Sequence, residues 1–155
     1  MAKTAFLYTE KYFAYDYGAD HPLRIERLRL TYDLCRACGL LELPHGDLVE
    51  TETASESDIL CFHTPDYLDV LKQAGAGEIS SALSHAIGPG DNPVFSGLWE
   101  WCQLYAGASL QCTDMVSEGK ARIAFNIAGG LHHALADRAS GFCYVNDAVL
   151  AILRF

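Results

Sequence analysis

The stretch from Ala121 to Ile127 reads as a strand, and it runs straight into Ala128-Gly129-Gly130-Leu131-His132-His133. Glycines there free the backbone for a tight turn at the carboxyl end of a strand, which is where α/β sheets place their ligands. Adjacent histidines on such a turn can present two imidazoles to one pocket, and imidazole is the side chain best suited to proton transfer near neutral pH. The blander arrangement has one histidine in a buried hydrogen bond and the other in water. Acid–base work also needs orienting partners, and Asp137 is the one obvious carboxylate nearby.

The rest of the chain supplies the scaffold for that turn. Ala5 to Tyr8 reads as a short buried strand, followed by an aromatic loop with Tyr12, Tyr15 and Tyr17. Asp20-His21-Pro22 then places a proline in the first turn of a helix expected to run to about Cys38 and stop at Gly39. Leu48 to Thr53 is the next strand, Ser55 caps a helix through Phe62, and Thr64-Pro65-Asp66 opens another from Tyr67 to Gln73. Residues 75–93 are rich in Gly, Ser and Pro and too long for a simple connection, which marks a functional or mobile loop. A strong amphipathic helix follows, with Phe95, Leu98, Cys102, Tyr105, Ser109, Leu110 and Val116 at helical spacing and small residues Ala106, Gly107 and Ala108 permitting close packing. It ends near Glu118-Gly119. Last, Asn146 or Asp147 caps an apolar helix from Ala148 to Leu153. No turn residue follows, so its apolar stripe is expected to need a partner and residues 1–155 to be the N-terminal part of one larger domain.

Half the residues are hydrophobic and 11% aromatic, so the chain buries a core and is not disordered. Eleven Lys+Arg against 20 Asp+Glu leave a formal charge of −9, and no segment gathers the basic residues into a stripe. Direct nucleic-acid binding is disfavoured on that ground. The apolar run after Lys3 is too short for a signal peptide or a membrane span. A cytoplasmic location is therefore expected, and with it reduced, buried thiols for Cys35, Cys38, Cys61, Cys102, Cys112 and Cys143.

Two local patterns are weaker. Cys35-Arg36-Ala37-Cys38 closes a helix, whereas redox CxxC motifs open one, and a structural zinc site needs a second pair. Arg27 falls among Leu23, Leu30 and Leu34 on the helical wheel, so its guanidinium either pairs or lines a polar channel, or snorkels to the helix edge. His21, His45, His63 and His85 lack i,i+4 spacing and read as structural or surface residues; no H-E-x-x-H, Walker or G-x-G-x-x-G pattern is present.

Asn126-Ile127-Ala128-Gly129-Gly130-Leu131-His132-His133-Ala134 and Ser140-Gly141-Phe142-Cys143-Tyr144-Val145-Asn146-Asp147 together resemble the central signature of the histone deacetylase superfamily. Asp20-His21-Pro22 with Arg24 and Arg27, Phe62-His63-Thr64-Pro65-Asp66-Tyr67, and Gly88-Pro89-Gly90-Asp91-Asn92-Pro93-Val94-Phe95 resemble that family's N-terminal half, especially its acetoin-utilisation-type members. The resemblance implies a three-layer α-β-α domain with a mostly parallel, arginase-like central sheet, incomplete in this chain. It implies zinc-dependent hydrolysis of the amide of acetyl-lysine or a related acetylated small amine. Under it, His132 and His133 are the tandem acid/base histidines, Gly141 and Phe142 line the tunnel for the acyl-lysine methylenes, Asp91 holds the substrate backbone at the rim, and Arg27 belongs to an internal channel.

The family's zinc ligands, its oxyanion-stabilising tyrosine and the carboxylates that orient the two histidines come later than any residue here. The expectation is thus a chain without metal ligands that is inactive alone and pairs with a missing C-terminal half. The other reading is a catalytically dead module that binds a partner chain or an acylated ligand.

Overall fold

A computed structural model describes residues 3–88 and 90–155. Pro89, part of one family-like segment, and the first two residues lie outside them.

Three strands, β1 (Thr4–Tyr8), β2 (Gly46–Glu50) and β3 (Ile123–Asn126), form one parallel sheet in the order β2-β1-β3. Phe6 of β1 lies opposite Leu48 and Phe125. The period of two in β1 sends Ala5 and Leu7 into a fully buried cluster with Ala108 of the long helix α4 (Leu98–Ser117) and Ala121. The opposite face is covered in part by α1 (Glu26–Ala37), whose Tyr32 stacks on Tyr8 at 3.9 Å. Leu48, Ile123 and Phe125 remain exposed there. Parallel sheets normally bury both faces.

Helix α4 packs close because of Gly107. A Cβ at that position would run into the backbone of residues 52–54. Gln103 and Gln111, one turn to either side, clasp the same segment: Gln103 Nε2 donates to Ala54 O at 3.0 Å, and Gln111 Nε2 donates to Glu50 O at 3.1 Å. The remaining helices are α2 (Glu56–Ile59), α3 (Pro65–Gly75) and α5 (Asp147–Arg154). Ser55 and Asp58 form a reciprocal capping box at the start of α2, as Ser55 implied. Leu150 of α5 is buried, while Ile152, Leu153 and Phe155 are exposed.

Several boundaries differ from the sequence expectation. α1 begins at Glu26, not at the proline, because the His21 ring ties the preceding turn: its Nδ1 accepts from Leu23 N at 3.1 Å and its Nε2 donates to Asp91 O at 3.1 Å. The strand expected over 121–127 keeps only Ile123–Asn126, and the one expected over 48–53 becomes Gly46–Glu50. The loop over 75–93 contains a short 3-10 turn, Ala82–His85. The expectation of buried thiols is corrected too. Cys102 and Cys143 are buried, Cys35 and Cys112 half-buried, and Cys38 and Cys61 exposed, all six as free thiols. Cys38 sits just past the last residue of α1, at the surface, where no neighbouring element covers it.

Candidate functional site: a double-histidine turn

The site rests on an irregular segment, Phe142 to Val145, that runs through the aromatic core. Buried backbone outside a ladder needs other partners, and here four side chains from distant parts of the chain supply them. Tyr17 OH donates to Phe142 O at 3.0 Å, Asn92 Nδ2 to Cys143 O at 3.2 Å, Tyr67 OH to Tyr144 O at 2.8 Å and Tyr105 OH to Val145 O at 3.0 Å. Burial pushes the Tyr17, Tyr67 and Tyr105 phenols well above their usual pKa, so they remain protonated donors. The same burial raises the Cys143 thiol and keeps it unreactive.

Asn146 and Asp147 then divide the labour left open at the start of α5. Asn146 is the N-cap, its Oδ1 accepting from Val149 N at 3.1 Å, while its Nδ2 donates to His132 O at 3.1 Å and Ala134 O at 2.9 Å. Asp147, 2% exposed, turns its carboxylate to the glycine turn. It accepts from Gly130 N at 2.9 Å, Leu131 N at 2.7 Å and Ser109 Oγ at 2.5 Å. Asn126, at the end of β3, bonds Ser109 Oγ and Tyr105 O through Nδ2, and Ala128 N through Oδ1. This polar knot explains both glycines. A Cβ at Gly129 would sit 2.5 Å from Asp147 Oδ2, and Gly130 has φ +85°.

On this support His132 and His133 are both exposed, their ring centroids 4.4 Å apart and inclined by 34°. The His132 Nδ1 lies 3.0 Å from Gly130 O, so Nδ1 carries the proton and Nε2 is left free. Gly141 faces the second ring so closely that a Cβ there would be 3.0 Å from His133 Cγ. The next residue, Phe142, has φ +72° and borders a groove of about 470 Å³ lined by Tyr17, Asp20, His21, Asp91 and Pro93. The structure therefore gathers His133, Gly141, Phe142 and Asp91 along one connected stretch of surface.

Other expected residues lie elsewhere. Asp137 pairs with Arg138 at 3.2 Å rather than with either histidine. Arg27 sits on the exposed side of α1 with Leu30 and Leu34 and has no ion-pair partner among the described residues. Its guanidinium is nonetheless crowded enough that desolvation lowers its pKa, with Tyr17 opposing the shift. Among the described residues no three His, Cys, Asp or Glu side chains converge on a point where a metal ion could be held.

Sequence reasoning met His63, Asn92, Ser109 and the tyrosines at 17, 67 and 105 but gave none of them a part in the site. Their one common signal is a polar group at an apolar helical position or beside a turn, which also describes many ordinary core residues.

Comparison with known proteins supplies the class. The histone deacetylase domain matches residues 21–155, and the chain belongs to the histone deacetylase family. It is 39% identical over 154 residues to the acetoin utilization protein AcuC of Bacillus subtilis (strain 168), covering 98% of this chain and 39% of that protein. It is also 39% identical over 155 residues to histone deacetylase 3 of Oryza sativa subsp. japonica, covering 97% of this chain and 30% of that one. Among solved structures, an HDAC homologue from Aquifex aeolicus superposes with a TM-score of 0.85 at 32% identity, over 97% of this chain and 40% of that one. An HDAC homologue complexed with SAHA superposes with a TM-score of 0.80. These likenesses bear out the deacetylase-like α/β fold, and the chain spans well under half the length of the curated relatives it matches. No helix among the described residues is long and apolar enough to cross a membrane.

Proposed function

We propose that the chain is the acid/base and substrate-channel part of a deacetylase that hydrolyses acetyl-lysine or a related acetylated small amine. The observation that carries this reading is the pair of exposed imidazoles, 4.4 Å apart, on a turn whose backbone is bonded on every side.

Amide hydrolysis asks for a proton to leave the attacking water and for another to reach the departing nitrogen. The free Nε2 of His132 suits the first task, and the second imidazole, His133, the other; such catalysis contributes about 10²–10⁴-fold. Gly141 and Phe142 would flank the methylenes of the acylated chain, with Asp91 at the rim, and Arg27 would border a channel once its leucine-flanked face is covered. Zinc is the metal that the family implies. The described residues do not assemble a ligand set for it, and the 155-residue chain alone is expected to be inactive. The second reading, a module that pairs with another polypeptide, is favoured by the exposed Leu48, Ile123 and Phe125 on the sheet.

Complementation tests the first reading. The chain is mixed with the part of the Bacillus subtilis relative beyond the aligned residues and assayed on an acetyl-lysine peptide with zinc. Turnover that falls at least about a hundredfold in His132→Ala or His133→Ala is expected. A complemented assembly whose turnover ignores both substitutions overturns the proposal.

A further inference from the structure

His63 is 2% exposed and no part of the proposed chemistry touches it. It precedes α3 and reaches across the fold to both ends of the site. Its Nε2 accepts from Asn146 N at 3.0 Å, and its Nδ1 donates to Ala136 O at 3.2 Å, an oxygen that also accepts from Thr64 N. The ring lies beside Phe62 and Tyr67, with centroids 4.9 and 5.6 Å away. A flat side chain with an acceptor on one edge and a donor on the other is needed at that point, and neutral imidazole in the Nδ1–H form meets both demands.

We propose that His63 is a positioning residue for the histidine pair, acting through Asn146, whose carboxamide holds the carbonyls of His132 and Ala134. Asn146 has no spare group: its N–H goes to His63, its Oδ1 to Val149 N and its Nδ2 to the two carbonyls. Releasing the N–H removes one of the bonds that fix Asn146, and the His132 carbonyl held by its carboxamide is expected to shift with it. Displacements of this kind at a catalytic group cost about 10–100-fold in turnover with little change in KM. That catalytic consequence rests on the acid/base reading of the pair; the latch does not.

The test follows the His132 and His133 ring resonances and the amide exchange of Asn146 by NMR, in wild type, His63→Phe and His63→Gln. Phe leaves the Asn146 N–H without an acceptor. Exchange at that amide is expected to quicken about tenfold or more, with displaced ring resonances, and Gln, whose carboxamide oxygen can accept, is expected to restore both. Exchange that rises evenly over the whole fold, with both rings unmoved, overturns the latch and marks a merely structural histidine. Displaced rings with unchanged turnover in the complemented assembly leave the latch standing and count against the acid/base reading. Should His63→Phe fail to fold, the ¹⁵N tautomer of His63 in wild type decides: Nδ1–H is expected, and Nε2–H overturns the proposal.

Discussion

Asp147→Asn is expected to destabilise the chain by about 2–4 kcal/mol, because one of its three donors is left without an acceptor, a bond to a charged acceptor being worth about 1.5–3 kcal/mol net, and the other two keep only a neutral one. The three donors are Gly130 N, Leu131 N and Ser109 Oγ. An asparagine whose one oxygen takes the Oδ2 position still accepts from Gly130 N and Ser109 Oγ, and its NH₂ group then points at Leu131 N–H. The residue is buried, so water does not make good the loss. Ser109→Ala removes one donor and leaves the carboxylate its two backbone partners, so a smaller loss of about 1–2 kcal/mol is expected. Urea unfolding midpoints measure both. An Asp147→Asn midpoint equal to wild type would mean that the carboxylate does not hold the glycine turn.

Acid should weaken the fold through His63. Burial pushes its pKa down from 6.5 to about 4, partly offset by the backbone carbonyls of Ala136 and Leu135. The groups facing it are Phe62, Tyr67, Asn146 and Ala136, with no carboxylate in hydrogen-bond reach among the described residues. Between pH 6.5 and 4 the unfolded chain binds the proton and the folded chain does not, so stability rises with pH over that window. It is complete above about pH 6.5 and is lost progressively as pH falls to about 4. Each pH unit between the two limits is worth about 1.4 kcal/mol, so the loss amounts to about 3 kcal/mol. Other groups titrate in the same range, and comparison with His63→Phe removes them. The stability advantage of wild type over that variant is expected to shrink by about 3 kcal/mol from pH 7 to pH 4. A constant difference across the window would show that His63 titrates normally.

The elements that rest on local pattern were legible in the sequence. β1, α3, α4 and the capping box at Ser55 follow from apolar spacing, proline placement and cap chemistry, and their ends moved by only a few residues. The double-histidine turn was equally plain, because a strand, two glycines and two histidines are contiguous. What holds that turn was not. Tyr17 and Phe142 are 125 residues apart, and Tyr67 and Tyr144 are 77 apart. No periodicity relates a phenol on one element to a carbonyl on another, so such bonds become visible only when the chain is folded. His63 was read as structural or surface for the same reason, since its two partners lie 83 and 73 residues away. The helix expected from Pro22 is present but starts four residues later, at Glu26, because of a local competitor, the His21 ring, which claims the backbone of that turn for itself. The buried-thiol expectation failed at Cys38 and Cys61 because composition says nothing about which face of a helix end a side chain occupies.

The proposed division of labour is that this chain presents and clamps the two histidines while the metal ligands come from elsewhere, in keeping with the lack of a ligand cluster among the described residues. The direct measurement is on the purified 155-residue chain, with bound zinc determined by elemental analysis after dialysis and turnover followed on an acetyl-lysine peptide. Substoichiometric zinc and no turnover above the no-protein rate are expected. One zinc per chain together with sustained deacetylation would contradict the account.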